Sequence, residues 1–387
     1  MEKRIFIVGD DGINSLGVLR SLGEEKIFPY VIITEDKNRK PIIFKSRYIK
    51  NEKCVVIKKD SKALLNVLKQ FYSNVEKGLI IPTSDFVLKF LSDYSDEISQ
   101  YYIFPTVSAD IGTLYDIMSK ETMAIYAEKA GFAIPDMVKC NVNEEAVDNI
   151  DLYLRFKNKY PLILKSENMF IPGCDFIIVK NETELKDAIG KLTGNTIIIQ
   201  QFIENAEEIA IQGVAFENNF KPKVFGVVHK IRTSLFALGT TTYAELRPLE
   251  DEKLRTISEK FAEIIGFNGI YDLDILIKDN NYYFIECNFR NGSNGYAYKK
   301  SGANLPFIWI NGIYDNLNFD FNDKIRSIYF VNDIGDFAHL LHHNVKFFNW
   351  IWQYVTADAH LTFNFKDQGP FWAEFDFSRL IKSLKKR

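Results

Sequence analysis

Cysteine is scarce: the chain of 387 residues has four, Cys54, Cys140, Cys174 and Cys287, widely scattered and with no C-x-x-C pair. That excludes a disulfide-stapled scaffold and fits a reducing compartment, where thiols serve as small apolar groups. An excess of basic charge is also missing. The 48 Lys and Arg stand against 51 Asp and Glu, a net charge of −3, which gives no electrostatic case for a nucleic-acid binder. No apolar run approaches the length of a transmembrane helix. The start, Met1-Glu2-Lys3-Arg4-Ile5-Phe6-Ile7-Val8, is basic and then apolar. Its apolar run is too short for a signal-peptide core and passes straight into a Gly/Asp turn. A cytoplasmic protein is expected. There is no internal repeat and no low-complexity tract.

What is present begins as a doubly wound sheet. The chain is too long for one typical domain, and two or three are expected. Arg4–Val8 is a short apolar run without alternation, the pattern of a buried parallel strand. A turn containing Gly9, Gly12 and Gly17 follows, then a helix ending at Gly23. The spacing is not the dinucleotide fingerprint G-x-G-x-x-G, so no NAD site is read, although a helix N-terminus welcomes an anion. Tyr30–Thr34, Cys54–Ile57 and Gly78–Pro82 read as further strands. From Asp110 the rhythm changes to antiparallel strands with helices: a helix opening at Ser119-Lys120 and closed by Gly131, the strand Tyr160–Lys165, and the apolar strand Thr196–Ile203.

The chemistry is expected on a hairpin. Ile270–Ile277 turns through Lys278–Asn281 into Tyr282–Asn288, and both runs alternate with the strand period. A three-residue loop, Asp279-Asn280-Asn281, sets Asp274 opposite Glu286 and Asp272 opposite Asn288. Opposed side chains lie roughly 5 Å apart at Cβ, and like charges placed so repel. Three carboxylates and an amide oxygen on one patch call for a cation, and oxygen-only ligands suit magnesium shared with phosphates. The plainer reading, a solvated polar face, leaves Tyr282 and Phe284 facing water with the acids. Arg290 and a Gly-rich turn follow directly, and arginine suits a carboxylate or phosphoryl oxygen.

After Asn318 comes a helix, Ile334–Asn344, then the aromatic run Phe347–Tyr354 and a basic tail, Lys382–Arg387. His339 and His343 lie one helical turn apart, but no Cys or carboxylate completes a metal set at the usual spacing, so solvated or core histidines are expected. The aromatic run with its basic end suits a membrane surface. Core packing or a dimer interface is the favoured expectation.

The order of these features resembles the ATP-grasp superfamily, and within it the carboxylate–amine ligases of the carbamoyl-phosphate-synthetase-like and D-aspartate-ligase-like kind. The resemblance covers roughly Met1 to Asp315 and is strongest from Lys120 to Pro306. It rests on Lys120 opening its helix, Pro161–Lys165, Ile199–Ile203, Glu208 before Ile209-Ala210-Ile211, Tyr283–Arg290 and Gly302–Pro306. It implies that Lys120 and Lys165 hold nucleotide phosphates, and that Gln201, Phe202 and Ile203 form the hinge whose backbone meets the adenine edge. Glu208 would accept the ribose hydroxyls. Asp274, Glu286 and Asn288 would bind magnesium, with manganese as the alternative. Arg290 would hold the transferred phosphoryl group or the substrate carboxylate, and Lys230 or Arg232 would add a positive contact. Two departures stand out: Phe289 replaces a usual proline, and the loop Ser166–Asp175 has a single glycine, which puts its phosphate grip in question.

The expected fold is thus α/β plus α+β in three parts. An N-terminal parallel-sheet, Rossmann-like pre-ATP-grasp domain spans 1–108, an ATP-grasp domain of two α+β subdomains with ATP between them spans 109–315, and a C-terminal appendage spans 316–387. The implied reaction joins a carboxylate to an amine through an acyl phosphate and releases ADP and phosphate. Its substrates are small acids and amines, amino acids among them. A bicarbonate-using carboxylase or carbamoyl-phosphate-type enzyme, and a nucleotide-binding module without catalysis, are the alternatives.

Overall fold

The computed structural model describes residues 3–36, 40–142, 150–166, 176–192, 196–217, 221–235, 239–314 and 324–375. Cys174, most of the loop Ser166–Asp175 and the basic tail lie outside them. Five parallel strands come first: β1 (Ile5–Gly9), β2 (Tyr30–Thr34), β3 (Cys54–Ile57), β4 (Gly78–Pro82) and β5 (Tyr102–Ile103). Their order is β3-β2-β1-β4-β5. β1 and β4 are buried along their whole length, as unbroken apolar runs in a covered parallel sheet should be. The chain builds outward from β1 to β3 and then returns to the other side of β1. The crevice beyond the carboxyl ends of β1 and β4 is therefore the switch point of the sheet, where open α/β sheets take ligands. Two helices begin there, Ile13–Gly23 after β1 and Asp85–Asp93 after β4.

A second sheet, β6 (Met137–Asn141), β7 (Leu162–Ser166), β8 (Phe176–Val179) and β9 (Thr196–Gln201), is antiparallel in the order β6-β9-β7-β8. It has its own apolar core. The largest sheet contains β10 (Glu207–Ala215), β11 (Lys223–Val224), β12 (Gly226–Thr233), β13 (Thr241–Pro248), β14 (Gly269–Lys278), β15 (Asn281–Asn288), β16 (Ile328–Val331) and β17 (Ala359–His360). It runs β15-β14-β10-β12-β13-β16-β17, with β11 beside β10. The C-terminal segment thus continues the central sheet. One face of that sheet packs on helices Lys120–Ala130 and Glu252–Ile264. The opposite face shares a core with the N-terminal sheet, through Tyr296, Tyr298 and Trp309.

The hairpin β14–β15 departs from the expected loop. It closes on two residues, Asp279 and Asn280, both left-handed at φ +50° and +62°, and Asn281 already pairs with Lys278. Positive φ at both central positions is the type I′ turn, whose twist suits a hairpin. Continued unbroken, this register would set Asp274 against Ile285. A bulge intervenes: Ile275 pairs with Phe284, Asp274 with Glu286, and Ile285 is left over. The expected pairs, Asp274 with Glu286 and Asp272 with Asn288, are both present.

The bulge also separates the aromatics from the acids. Tyr282 and Phe284 share the face of Leu273 and Ile275 and are buried in the core, whereas Glu286 and Asn288 share the face of Asp272 and Asp274. The solvated-face reading fails on that point. Among the described residues no helix is long and apolar enough to cross a membrane.

Candidate active site

Side chains from four neighbouring strands converge on the acidic face. On β10, Glu208, Ala210 and Gln212 lie opposite Leu276, Asp274 and Asp272 of β14. From β12, the buried Lys230 reaches across this row. Its ammonium donates to Glu208 Oε1 at 2.6 Å, to Asp274 Oδ1 at 2.6 Å and to the carbonyl of Gly239 at 2.8 Å. Three donors meeting three acceptors leave Lys230 saturated. Burial works against its charge, but Asp274 and Glu208 outweigh that and hold its pKa above the ordinary lysine value. Part of the charge expected of a bound ion is thus supplied by a fixed lysine. Arg232 does not join the site. It forks onto Asp336 with two 2.8 Å bonds and lies against the Tyr243 ring, tying β12 to the helix Asp333–Leu341.

The carboxyls here are held in tension. Burial first, and Asp274 second, raise the pKa of Glu286, while Lys120, Lys165 and Lys230 pull it down. The same two causes push Asp272 up to about 8. Asp272 Oδ1 is buried with no hydrogen-bond partner. A Cβ at Gly292 would stand 1.9 Å from Asp272 Oδ2 and 2.4 Å from Gln212 Nε2, so only glycine lets the turn after Arg290 lie against this carboxyl. Among the described residues no three His, Cys, Asp or Glu side chains close into a metal cage. The expected trio of carboxylates does not close into a cage, although Asp272, Asp274 and Glu286 all line the cavity with Asn288, and Asp274, Glu286 and the Asn288 amide oxygen remain the candidate ligand set. An oxygen-only set of crowded, buried carboxyls fits a hard divalent cation that completes its shell with phosphate or water oxygens.

Arg290 donates from Nε to Asp85 Oδ1 at 2.7 Å and from Nη2 to Asn288 Oδ1 at 3.3 Å. Phe289, where proline was expected, is fully buried, its ring 5.2 Å from that of Phe267 and 6.4 Å from that of Phe261. The aromatic ring fills core space on one side of the strand while its neighbour still reaches the cavity on the other. The departure is a matter of packing.

The lysines come from other elements. Lys120 is the first residue of its helix, behind the Ser119 cap that accepts from the Thr122 N–H. Lys165, on β7, lies 3.4 Å from Gln200 Oε1. Its pKa falls to about 8, chiefly by burial and then by the charge of Lys120, against Glu286, Glu208 and Asp274. The groups named there span five elements, so the second sheet and the acidic face meet around one space. In the hinge, the N–H groups of Gln201 and Phe202 are already spent on Asp136 O and Pro161 O, at 2.8 and 2.9 Å. That leaves the N–H of Ile203 as the next donor along. His339 is engaged with Thr233 O at 2.8 Å and His343 is exposed past the helix end, so the two form no site.

The Lys165 value makes a measurable prediction. Near pH 8 about half of this side chain is neutral in the free protein, and a triphosphate beside it raises its pKa, so binding takes up part of a proton. Calorimetry of ATP binding in two buffers of different ionisation enthalpy should show that uptake at pH 8 and little from this group at pH 6. Lys165→Met should remove the pH 8 component, and an unchanged slope in that variant would refute the assignment.

A cavity of about 300 Å³ is lined by Lys230, Gly239, Asp272, Asp274, Glu286, Asn288, Arg290 and, from the N-terminal sheet, Ile13 and Asn14. A second, of about 280 Å³, adjoins it through Ile13, Asn14 and Arg290 and is lined also by Asp10, Gly12, Thr83, Ser84 and Asp85. This is the switch-point crevice. Neither helix that starts in it has a side-chain cap bond at its N-terminus. Ser84 and Asp85 escaped the sequence reading. The signal was there, since Thr-Ser-Asp follows directly on the apolar run of β4 as a helix start does.

Residues 120–310 match the family described as the RimK-like ATP-grasp domain. The chain carries an ATP-grasp domain. It is similar to the carbamoyl phosphate synthase large chain of Saccharolobus solfataricus, 24% identical over 221 residues, 54% of this chain and 20% of that relative. The match therefore spans only a fifth of that relative's length. It is also similar to the D-aspartate ligase of Enterococcus faecium, 21% identical over 257 residues, 62% of this chain and 60% of that relative. An N5-carboxyaminoimidazole ribonucleotide synthetase solved as an ADP complex has the same fold, with a TM-score of 0.65 at 14% identity. The alignment covers 89% of this chain and 85% of that one. The ATP-grasp fold and its N-terminal parallel sheet are thus those expected from the sequence.

Proposed function

We propose that the chain is an ATP-dependent ligase that joins a carboxylate to an amine through an acyl phosphate. Its support is one juxtaposition: the acidic face of β14 and β15 opens directly onto the crevice between β1 and β4, and Arg290 stands between them. The triphosphate lies against Lys120 and Lys165, with its base at the hinge by Ile203 and its ribose toward Glu208. Asp274, Glu286 and Asn288 would hold magnesium, whose charge would offset that of the phosphates. Lys230 fixes Glu208 and Asp274 in place for these contacts.

The acid enters from the crevice, where two uncapped helix N-termini and Arg290 favour an anion. A carboxylate oxygen attacks the γ-phosphorus and ADP leaves. The amine then attacks the acyl carbon, loses a proton, and phosphate departs. Such transfers depend on positioning and on fixed charges more than on covalent help from the protein. The expected result is ADP release when both an acid and an amine are supplied, or slow release with acid alone. It is measured by coupled ADP detection across a panel of amino acids and small acids. AMP and pyrophosphate as products, or bicarbonate alone sufficing in place of the acid, would replace this reading.

A further inference from the structure

The helix Phe347–Thr356 turns its apolar side outward. On its inner side Trp350 Nε1 donates to Asp336 Oδ2 at 2.9 Å, Gln353 Oε1 accepts from Arg232 at 2.6 Å, and the Tyr354 hydroxyl donates to Asp333 Oδ1 at 2.9 Å. These three positions anchor the helix by their polar atoms. The opposite stripe, Phe348, Ile351, Trp352 and Val355, follows the i, i+3, i+4, i+7 spacing of a helix face that ordinarily seeks a core. Here Phe348 is 83% exposed, Trp352 71% and Val355 72%, and no residue of the helix is buried. The favoured expectation of core packing does not hold for this stripe.

Aromatic rings continue the surface through Tyr354, His360, Phe363 and Phe371, with Phe365 and Trp372 exposed beside them. Every exposed Phe or Trp among the described residues lies between Phe347 and Trp372. An apolar patch so concentrated marks an interaction surface.

Charge selects the occupant. Lys346 and Lys366 are exposed on this segment, and the exposed acid there, Asp358, is paired with Arg326 at 3.0 Å. The sequence then places Arg379, Lys382, Lys385, Lys386 and Arg387 within nine residues that contain no acid. The whole chain carries −3, so those five cations stand against −8 elsewhere, since −3 minus 5 is −8. A second copy brings the same exposed Lys346 and Lys366 to this face and the same five cations in its sequence, so like charge opposes the pairing. An anionic lipid surface attracts them, and Trp and Phe partition into the headgroup boundary. Stable peripheral attachment needs two signals, and this chain's sequence and surface hold one of each, an apolar stripe and a polybasic segment.

We propose that this C-terminal face docks the protein on an anionic lipid surface, with Phe348, Trp352 and Val355 entering the interface. Sedimentation of the full chain with vesicles of phosphatidylcholine, with and without phosphatidylglycerol, tests this without any substrate. Binding is expected only with the anionic vesicles and should weaken as salt rises. The double variant Phe348→Ser, Trp352→Ser should lose at least roughly 100-fold in affinity while keeping its unfolding temperature, since both side chains are exposed. Absence of sedimentation with anionic vesicles overturns the proposal, as does binding that survives both substitutions. A concentration-dependent dimer in analytical ultracentrifugation that the same variant abolishes assigns the face to a second copy instead. Because none of these readouts uses ATP, they stand or fall apart from the ligase reading.

Discussion

Glu286→Gln should lose roughly 10²–10³-fold in kcat, the range for removing one fixed group that offsets charge in a transition state. The variant keeps the shape of the side chain and removes its charge. Its stability should move the other way. Burial and Asp274 raise the Glu286 pKa above the carboxyl value of the unfolded chain. An acid so shifted binds its proton more tightly when folded, so it costs nothing at low pH and destabilises increasingly as pH rises through its folded pKa. Glutamine escapes that cost. At pH 8 without divalent ions, the variant should therefore unfold at the same temperature as the native chain or a higher one. A magnesium-dependent rise in unfolding temperature is expected of the native chain and should be smaller in the variant. Inactive yet no less stable is the signature of a residue kept for chemistry. A Glu286→Gln protein with native turnover would remove the metal assignment, and the ligase reading would lose its main support.

How much of this was legible beforehand divides at the hairpin. Strand period with an assumed three-residue loop led to the facing pairs Asp274–Glu286 and Asp272–Asn288, and the structure has both. The route was different, because a two-residue turn and the Ile285 bulge together reproduce the offset of an unbroken three-residue loop. Period-two reading cannot see a bulge, since the extra residue changes the face of everything before it without altering composition. That is why Tyr282 and Phe284 read as sharing a face with Glu286 when they lie in the core. The parallel strands were plain because continuous apolar runs mark them. Lys230 was legible as a cation near the site but not as a saturated bracket, because its three partners come from Glu208, Gly239 and Asp274, far apart in the chain. The outward stripe of Phe347–Thr356 was hidden for a related reason. The usual rule buries aromatic stripes, and only the long-range bonds of Trp350, Gln353 and Tyr354 reveal which side faces in.

Arg20→Met should destabilise the fold by about 3–5 kcal/mol, the cost of breaking a buried ion pair and stranding its partner. Arg20 is fully buried on the helix Ile13–Gly23. Its Nε donates to Asp367 Oδ2 at 2.9 Å, Nη1 to Leu361 O at 3.0 Å, and Nη2 to Thr362 O and Asp367 O at 2.8 and 2.9 Å. One side chain thus satisfies three carbonyls and a carboxylate of the C-terminal segment. Asp367 is further bound by the Ser46 hydroxyl at 2.9 Å and the Arg47 N–H at 2.7 Å. Removing the guanidinium takes its donors from three buried carbonyls and leaves the Asp367 carboxylate with Ser46 and Arg47 but no opposite charge, which is the expensive half of a buried polar contact. Denaturant unfolding measures the loss. The double variant Arg20→Met, Asp367→Leu should recover much of it, because no buried charge is then left unpaired. Equal stability of Arg20→Met and the native chain would mean that the segment around Asp367 is not held to the N-terminal helix by this bracket. The consequence reaches the site, because the same helix begins at Ile13 and Asn14, which line both the acidic cavity and the crevice beside it. Arg20 therefore couples the seating of the C-terminal segment to the wall of the cleft, and loosening it should raise the KM for the acid more than the KM for ATP.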